Sequence, residues 1–205
     1  MCGIVGYLGS GKATSFLING LSKLEYRGYD SAGVAVFNKD HLEVRKFKGR
    51  LSNLADNIKQ NPVEGCIGIG HTRWATHGAP SDANSHPHLN SKETIAVVQN
   101  GIIENYLALR TWLKGEGYTF KSETDTEVIP NLIDYYYEGD LFEAVTKALK
   151  RLEGSYALGI ICKDEPDKLI AVRKECPLIV GLGKGESFIA SDIPAVLSYT
   201  RDVYL

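Results

Sequence analysis

Cys2 is the residue whose type and position carry the most chemistry, because it directly follows Met1 in the run Met-Cys-Gly-Ile-Val-Gly. Methionine is usually removed before a small residue, and its removal would leave Cys2 with a free α-amino group. Since a free α-amine titrates at about 7.7–8.0 and a thiol at about 8.5, one residue would then hold both a base and a nucleophile. The alternative is a small apolar residue that opens a buried strand, as free cysteines commonly do.

Four further segments are rich in reactive and polar side chains, and they lie at the ends of predicted strands or at the start of a predicted helix. They read Tyr-Arg-Gly-Tyr-Asp-Ser-Ala-Gly at 26–33, His-Thr-Arg-Trp-Ala-Thr-His-Gly at 71–78, Gln-Asn-Gly-Ile-Ile-Glu-Asn at 99–105 and Ser-Glu-Thr-Asp-Thr-Glu at 122–127. Functional side chains concentrate on such loops because a rigid scaffold positions them. These segments are therefore the candidate parts of a site.

The elements that must position these side chains are visible as apolar periodicity. Alternation and short apolar runs predict strands at Ile4–Leu8, Ala32–Phe37, Leu42–Phe47, Ile67–His71, Ile95–Gln99, Tyr156–Cys162, Lys168–Arg173, Leu178–Gly183 and Ser187–Ala190. Helical spacing predicts helices at Ala13–Leu24, Leu51–Lys59, Asn105–Lys114, Asp125–Tyr137 and Leu141–Leu152. Hairpin turns are predicted at 163–167 and 183–186. Because the strands pair in antiparallel fashion and the helices cluster between them, we expect one layered α+β domain over residues 1–205.

Composition excludes several classes of function. Of the 205 residues 43% are hydrophobic and 23% charged, which is ordinary for a globular protein. A net charge of −2 gives no reason to expect nucleic acid or an anionic membrane as a partner. No apolar run approaches the ~18 residues of a membrane span, and no secretory signal is present. We therefore expect a cytoplasmic protein.

The four cysteines do not predict a disulfide framework or a zinc site. No Cys-x-x-Cys pair occurs, and we expect Cys66 and Cys162 to be buried thiols and Cys176 to lie at a strand end. A metal site made by His71, His77, His86 and His88 is the less favoured alternative, because the spacing of these histidines does not match a zinc ligand set. No cofactor is expected.

The N-terminal run and the polar segments resemble class II glutamine amidotransferases, which have the N-terminal nucleophile hydrolase fold. Leu-Glu-Tyr-Arg-Gly-Tyr-Asp-Ser-Ala-Gly at 24–33, His-Thr-Arg-Trp-Ala-Thr-His-Gly at 71–78 and Ser-Glu-Thr-Asp-Thr-Glu-Val at 122–128 are similar to the glutaminase domains of the glucosamine-6-phosphate synthase branch. The resemblance covers essentially the whole chain. It implies a four-layer α/β/β/α sandwich of two stacked antiparallel sheets. One departure is Gln99, at a position where the family often has histidine.

The resemblance also implies a role for each candidate residue. Cys2 would be the nucleophile and Arg27 would help to fix it, while the Asn100 side chain and the Gly101 backbone N–H would form the oxyanion hole. Arg73 would bind the α-carboxylate of glutamine with help from Thr76 and His77, and Asp125 would bind the α-ammonium. Trp74 would lie in a loop that closes over glutamine. The alternatives for single residues are a helix N-cap for Asp125, a plain turn for Asn100-Gly101, and an ion pair with Asp30 or Glu25 for Arg27.

The resulting expectation is an enzyme that hydrolyses L-glutamine to glutamate and ammonia through a γ-glutamyl thioester on Cys2. In a full-length protein, the ammonia would pass to a sugar-isomerase domain that converts fructose 6-phosphate to glucosamine 6-phosphate. That domain is absent from this chain, which we expect to be slightly truncated at its C-terminus. Alternatives are another class II acceptor, a catalytically silent glutamine-binding domain that retains Met1, and a metal-dependent hydrolase.

Overall fold

Two antiparallel β-sheets stack face to face in the computed structural model, which describes residues 2–74 and 78–204. The larger sheet contains β1 (Gly3–Leu8), β2 (Ser31–Asn38), β3 (His41–Lys48), β4 (Ile67–Arg73), β9 (Ile179–Leu182), β10 (Ser187–Ala190) and β11 (Val203–Tyr204). Its strand order is β11-β9-β10-β1-β4-β2-β3, so the strand that follows Cys2 lies in the middle. The smaller sheet contains β5 (His88–Leu89), β6 (Ile95–Ile103), β7 (Gly154–Cys162) and β8 (Glu165–Lys174), in the order β5-β6-β7-β8.

Helices cover the outer face of each sheet. The larger sheet carries α1 (Ala13–Leu24) and α2 (Leu51–Gln60), and the smaller sheet carries α3 (Tyr106–Gly115), α4 (Val128–Tyr136) and α5 (Leu141–Leu149). Short 3₁₀ helices at Glu25–Arg27 and Ile193–Ala195 follow α1 and β10. Among the described residues, no helix is long and apolar enough to cross a membrane.

Three apolar clusters hold the four layers together. Alternate residues of one strand face opposite sides of a sheet, so β1 sends Val5 toward α1 and Ile4 toward the smaller sheet. The cluster between the sheets also contains Ile69 and Val98, from β4 and β6, which are fully buried. Both sheets are thus buried on two faces at the level of these strands. The expected α/β/β/α sandwich is confirmed.

The predicted strands and helices are present, and the informative differences lie near the candidate site. Strand β6 does not end at Gln99 but continues through Asn100 and Gly101 to Ile103, where it still pairs with Gly154. The expected end of this strand at Gln99 was wrong, as was the alternative of a plain turn at Asn100-Gly101, because β7 supplies a partner along the full length.

Helix α4 begins at Val128 rather than at Asp125, so the N-cap alternative for Asp125 was also wrong. The side chains of residues 125 and 127, just before the helix, accept hydrogen bonds from other parts of the chain instead. Glu127 accepts hydrogen bonds from the backbone N–H groups of Lys121 and Ser122, which folds the segment back on itself.

Two further predictions were wrong. Cys66 is exposed rather than buried. Strand β8 already begins at Glu165, which shortens the turn predicted at 163–167.

Candidate active site

Cys2 lies at the start of β1 with its sulfur held by the end of the neighbouring strand. The Trp74 N–H donates to Cys2 Sγ at 3.1 Å, and the thiol lies 3.4 Å from the Trp74 carbonyl oxygen, which can accept its proton. Burial raises the pKa of the Cys2 thiol, and the hydrogen bond from the Trp74 backbone offsets part of that rise. A thiol in this environment stays protonated at neutral pH, so its use as a nucleophile requires a base.

Strand β4 places Arg73 beside Cys2. Gly3 pairs with Thr72 across the antiparallel β1–β4 ladder. Cys2 precedes Gly3 and Arg73 follows Thr72, so both residues lie at the same end of the two strands. The Arg73 side chain is 3% exposed, and its Nη2 donates to the Gly78 carbonyl at 3.0 Å. A guanidinium that is buried here offers a planar fork to a carboxylate within the protein interior.

Arg27 reaches the same end of the sheet from the short helix after α1. Its Nη1 donates to the Ser191 carbonyl at 3.2 Å and pairs with Asp192 at 3.1 Å, a partner that the sequence did not suggest. The chain approaches β4 closely at Gly28, where an added Cβ would lie 2.8 Å from the Arg73 carbonyl carbon. Arg27 therefore ties the segment that follows β10 to the site.

The amide of Asn100 has a defined orientation. Its Nδ2 donates to the Cys2 carbonyl at 3.1 Å, while its Oδ1 lies 3.1 Å from His71 Nε2. The next residue, Gly101, has φ +97°, and an added Cβ would lie 2.1 Å from the Ser155 carbonyl oxygen on β7. This backbone conformation and this close approach both require glycine.

Three buried histidines stack beneath the site. The rings of His71 and His86 are parallel with centroids 4.1 Å apart, and His88 meets His86 edge-on at 4.8 Å. Burial lowers the pKa of His71 to about 4 and lowers the pKa of His86 and His88 well below the ordinary value of 6.5. The histidines are therefore neutral at pH 7 and act as hydrogen-bonding groups.

The segment before α4 is anchored on this stack. Thr124 Oγ1 lies 3.1 Å from His88 Nε2, and Thr126 Oγ1 lies 3.3 Å from His86 Nε2. Between them, Asp125 Oδ2 accepts hydrogen bonds from the Ile103 N–H at 2.8 Å and from the Gln99 side chain at 3.3 Å. Asp125 is thus fixed by tertiary contacts at a site where it is 5% exposed.

These groups share one cavity of about 400 Å³. Its lining residues are Cys2, Arg27, Arg73, Trp74, His86, Gln99, Asn100, Gly101, Ile102, Thr124, Asp125, Thr126, Cys176 and Pro177. A cavity of this size accommodates a small molecule. The guanidinium of Arg73 and the carboxylate of Asp125 can complement the two charges of a zwitterion such as a free amino acid, and the Cys2 thiol lies in the same cavity, where it can act as a nucleophile.

Among the predicted site residues, Thr76 and His77 lie outside the described part of the chain. The others, namely Cys2, Arg27, Arg73, Trp74, Asn100, Gly101 and Asp125, all line the cavity. Sequence reasoning did not assign His71, His86 or Gln99 to the site. The sequence offered the histidines only as candidate metal ligands. Within residues 2–74 and 78–204, no group of three or more His, Cys, Asp or Glu side chains could hold a metal ion.

More than half of the chain matches a known protein family. The profile of a family described as the glutamine amidotransferase domain matches residues 71–198. The chain belongs to this glutamine amidotransferase domain family. The matched region begins at His71 and includes Arg73, Asn100 and Asp125, three of the side chains that define the cavity.

Individual relatives are similar over the whole chain. The chain is 71% identical to the glutamine–fructose-6-phosphate aminotransferase [isomerizing] of Clostridium perfringens and 66% identical to the protein of that name from Clostridium acetobutylicum. The matches cover 100% of this chain and 34% of each relative. The chain therefore spans about a third of the length of these curated relatives.

Solved structures support the same fold. The glutamine phosphoribosylpyrophosphate amidotransferase of B. subtilis, in complex with ADP and GMP, superposes with a TM-score of 0.84 at 26% identity over 97% of this chain and 44% of its own. A glutamine aminotransferase class-II domain protein from Silicibacter pomeroyi has a TM-score of 0.60 at 17% identity, over 92% of this chain and 88% of its own. The predicted resemblance to the class II glutamine amidotransferases is confirmed.

Proposed function

We propose that residues 1–205 form a glutaminase domain that hydrolyses L-glutamine to L-glutamate and ammonia. The observation that carries the proposal is the arrangement of Cys2, the Asn100 amide, Arg73 and Asp125 around one cavity of about 400 Å³. This arrangement provides a nucleophile, a hydrogen-bond donor for an oxyanion, and two opposite charges for the ends of a free amino acid. No cofactor is needed for this reaction.

The proposed mechanism begins when removal of Met1 gives Cys2 a free α-amine. This amine accepts the thiol proton, and Sγ attacks the side-chain carbonyl carbon of glutamine to form a tetrahedral oxyanion. Asn100 Nδ2 and the Gly101 N–H stabilise that oxyanion. The C–N bond then breaks, ammonia leaves with the proton, and water hydrolyses the γ-glutamyl thioester to glutamate and the free thiol.

Binding of the substrate is assigned to the charged residues of the cavity. Arg73 holds the α-carboxylate with the help of Thr76 and His77, and Asp125 holds the α-ammonium. Trp74 closes over the bound glutamine, and Arg27 fixes the N-terminal segment. Selection of free glutamine over a glutamine within a peptide follows, because an internal residue lacks both end charges.

The names of the longer relatives support a proposal for the whole protein. We infer that the ammonia passes to a sugar-isomerase portion, which converts fructose 6-phosphate to glucosamine 6-phosphate in the cytoplasm. Glutamine and that portion are then the partners of this domain, and neither nucleic acid nor a membrane takes part. Addition of fructose 6-phosphate to the full-length protein tests this acceptor against those of other class II amidotransferases.

The test of the glutaminase function compares two single-cysteine variants after mass spectrometry has established removal of Met1. Cys2→Ala should abolish ammonia release from L-glutamine, while Cys66→Ala should retain it, because Cys66 is exposed and lies outside the cavity. The inhibitor 6-diazo-5-oxo-norleucine should add to Cys2. A processed protein that releases no ammonia and leaves Cys2 unmodified would instead be a catalytically silent domain.

A further inference from the structure

The side chain of Asn100 is useful to the proposed reaction in only one of its two orientations. With Nδ2 toward Cys2, the amide presents N–H groups to the reacting carbonyl, and one of these groups already bonds to the Cys2 carbonyl at 3.1 Å. Rotated by half a turn, the amide would present Oδ1, whose lone pairs repel a developing oxyanion. An oxyanion hole therefore needs something that holds the amide in place.

His71 is placed to do this from the side opposite to Cys2. Its Nε2 lies 2.9 Å from the Gln99 carbonyl oxygen and 3.1 Å from Asn100 Oδ1. Both neighbours are acceptors, so the proton of the neutral ring must be on Nε2, where it is shared between them. The rotated amide would bring an N–H group against the ring N–H and an oxygen against the Cys2 carbonyl, which are two repulsive contacts.

The ring of His71 is itself immobilised. The residue is 0% exposed, and its ring stacks on that of His86 at 4.1 Å. His86 is held in turn, since its Nδ1 accepts from the Gln99 N–H at 3.2 Å and its Nε2 lies 3.3 Å from Thr126 Oγ1. The ring N–H that faces Asn100 thus has a fixed position without any contact between His71 and the substrate.

We propose that His71 is a positioning residue that holds the Asn100 amide with its N–H groups toward the reacting carbonyl. The proposal rests on the proposed glutaminase function. Since the Cys2 carbonyl also favours this orientation, loss of His71 should cost less than loss of the Asn100 donor itself. Removal of one oxyanion donor typically lowers the rate by about 10²–10³-fold.

The test is a kinetic double-mutant cycle on the processed protein. His71→Phe should lower kcat for ammonia release by about 10–100-fold and leave KM for glutamine within about twofold, because the residue acts on the oxyanion and not on the charged ends. In the Asn100→Ala background the same substitution should change kcat by less than about twofold, because no amide remains to be positioned. An equal effect in both backgrounds, or an effect on KM alone, overturns the proposal.

Two further variants separate positioning from packing. His71→Gln should recover most of the lost kcat, because the glutamine Nε2 is two bonds from Cγ, as is the Nε2 of histidine. His88→Phe removes another buried imidazole from the same stack, but its effect on kcat should be additive with that of Asn100→Ala. A His71→Gln variant as impaired as His71→Phe, when both are folded, counts against the hydrogen bond.

Failure of the proposed function has a different signature, because the unvaried protein would then release no ammonia. The same single and double variants can be compared in urea denaturation, which does not depend on turnover. Coupling between His71→Phe and Asn100→Ala in the free energy of unfolding supports the assigned contact. Additive free energies of unfolding overturn it.

Discussion

At the scale of single residues, the cavity brings charged side chains and a thiol together with buried polar groups that contact them. Cys2, Arg73 and Asp125 were accessible from motif and chemistry. His71 contacts Asn100, which lies 29 positions further along the sequence. Gln99 donates to Asp125, which lies 26 positions further along. Such partners depend on which strands become neighbours, and residue types alone do not determine this.

Arg73→Lys should raise KM for glutamine by about 10–100-fold with a smaller change in kcat. A lysine keeps the charge but replaces a planar two-pronged donor by a single point, so binding of a carboxylate is weakened. Steady-state kinetics of ammonia release measure the effect. Arg45→Lys is the matched control, because Arg45 pairs with Glu43 on β3 and lies outside the cavity; it should leave KM unchanged. An unchanged KM in Arg73→Lys contradicts the assigned role.

Asp125→Asn should raise KM for glutamine. It should not remove a helix cap, because α4 begins at Val128 and Asp125 does not cap it. The substitution keeps the shape of the side chain and removes the charge that faces an ammonium. Comparison with 4-carbamoylbutanoate, which is glutamine without its α-amino group, gives the control. The variant and the unvaried protein should use 4-carbamoylbutanoate equally poorly. A general defect in the site would instead lower the variant's activity on glutamine and on 4-carbamoylbutanoate in parallel.

At the scale of elements, most boundaries were predictable and the exceptions share one cause. Helix α1 has the limits Ala13–Leu24 expected from its apolar stripe, because local spacing and packing agree there. Strand β6 and helix α4 differ from expectation because tertiary hydrogen bonds act on them. The β7 ladder extends β6 past Asn100, and the contacts of Asp125 and Glu127 delay the start of α4.

Gly101→Ala should destabilise the fold by at least about 2 kcal/mol, because a left-handed backbone conformation combines with a clash against β7. Gly115→Ala is the matched control. It lies at the end of α3, an added Cβ there would have no atom within 4 Å, and the change should be neutral or stabilising by about 0.4–1 kcal/mol. Urea denaturation of both variants measures the difference, and equal stabilities would show that β6 tolerates a side chain at this position.

At the scale of the whole molecule, the layered sandwich was predictable because apolar alternation in the strands and stripes in the helices leave few ways to bury every face. The histidine stack was not, because its members come from β4, from β5 and from the residue before Pro87. Burial of three neutral imidazoles between the layers makes the stability of the entire fold depend on pH.

The free energy of unfolding should fall as the pH is lowered from about 6.5 toward 4. The folded-state pKa of His71 is about 4 and those of His86 and His88 are also depressed from 6.5, so in this window the unfolded chain binds protons that the folded chain does not. Each histidine contributes a slope on the order of 1 kcal/mol per pH unit in this window, and the contribution of these groups becomes constant above about pH 7.5. Denaturation curves at pH 7, 6 and 5 measure the slope.

His88→Gln should make this slope shallower, because one buried titrating ring is removed. His41→Gln is the control and should leave the slope nearly unchanged, because the His41 side chain is 57% exposed and makes none of the ring contacts of the stack. A free energy of unfolding that does not vary between pH 7 and pH 5 would show that the stack exchanges protons equally in the folded and unfolded chains.

The central position of β1 has a practical consequence for handling the protein. Cys2 directly precedes β1, which pairs with β10 on one side and with β4 on the other, so the two ladders hold the start of this strand in place. Any peptide fused ahead of Cys2 would lie next to the cavity that Cys2 lines. In a protein made of residues 1–205 alone, an affinity tag or immobilisation handle therefore belongs after β11, at the sheet edge three strands away.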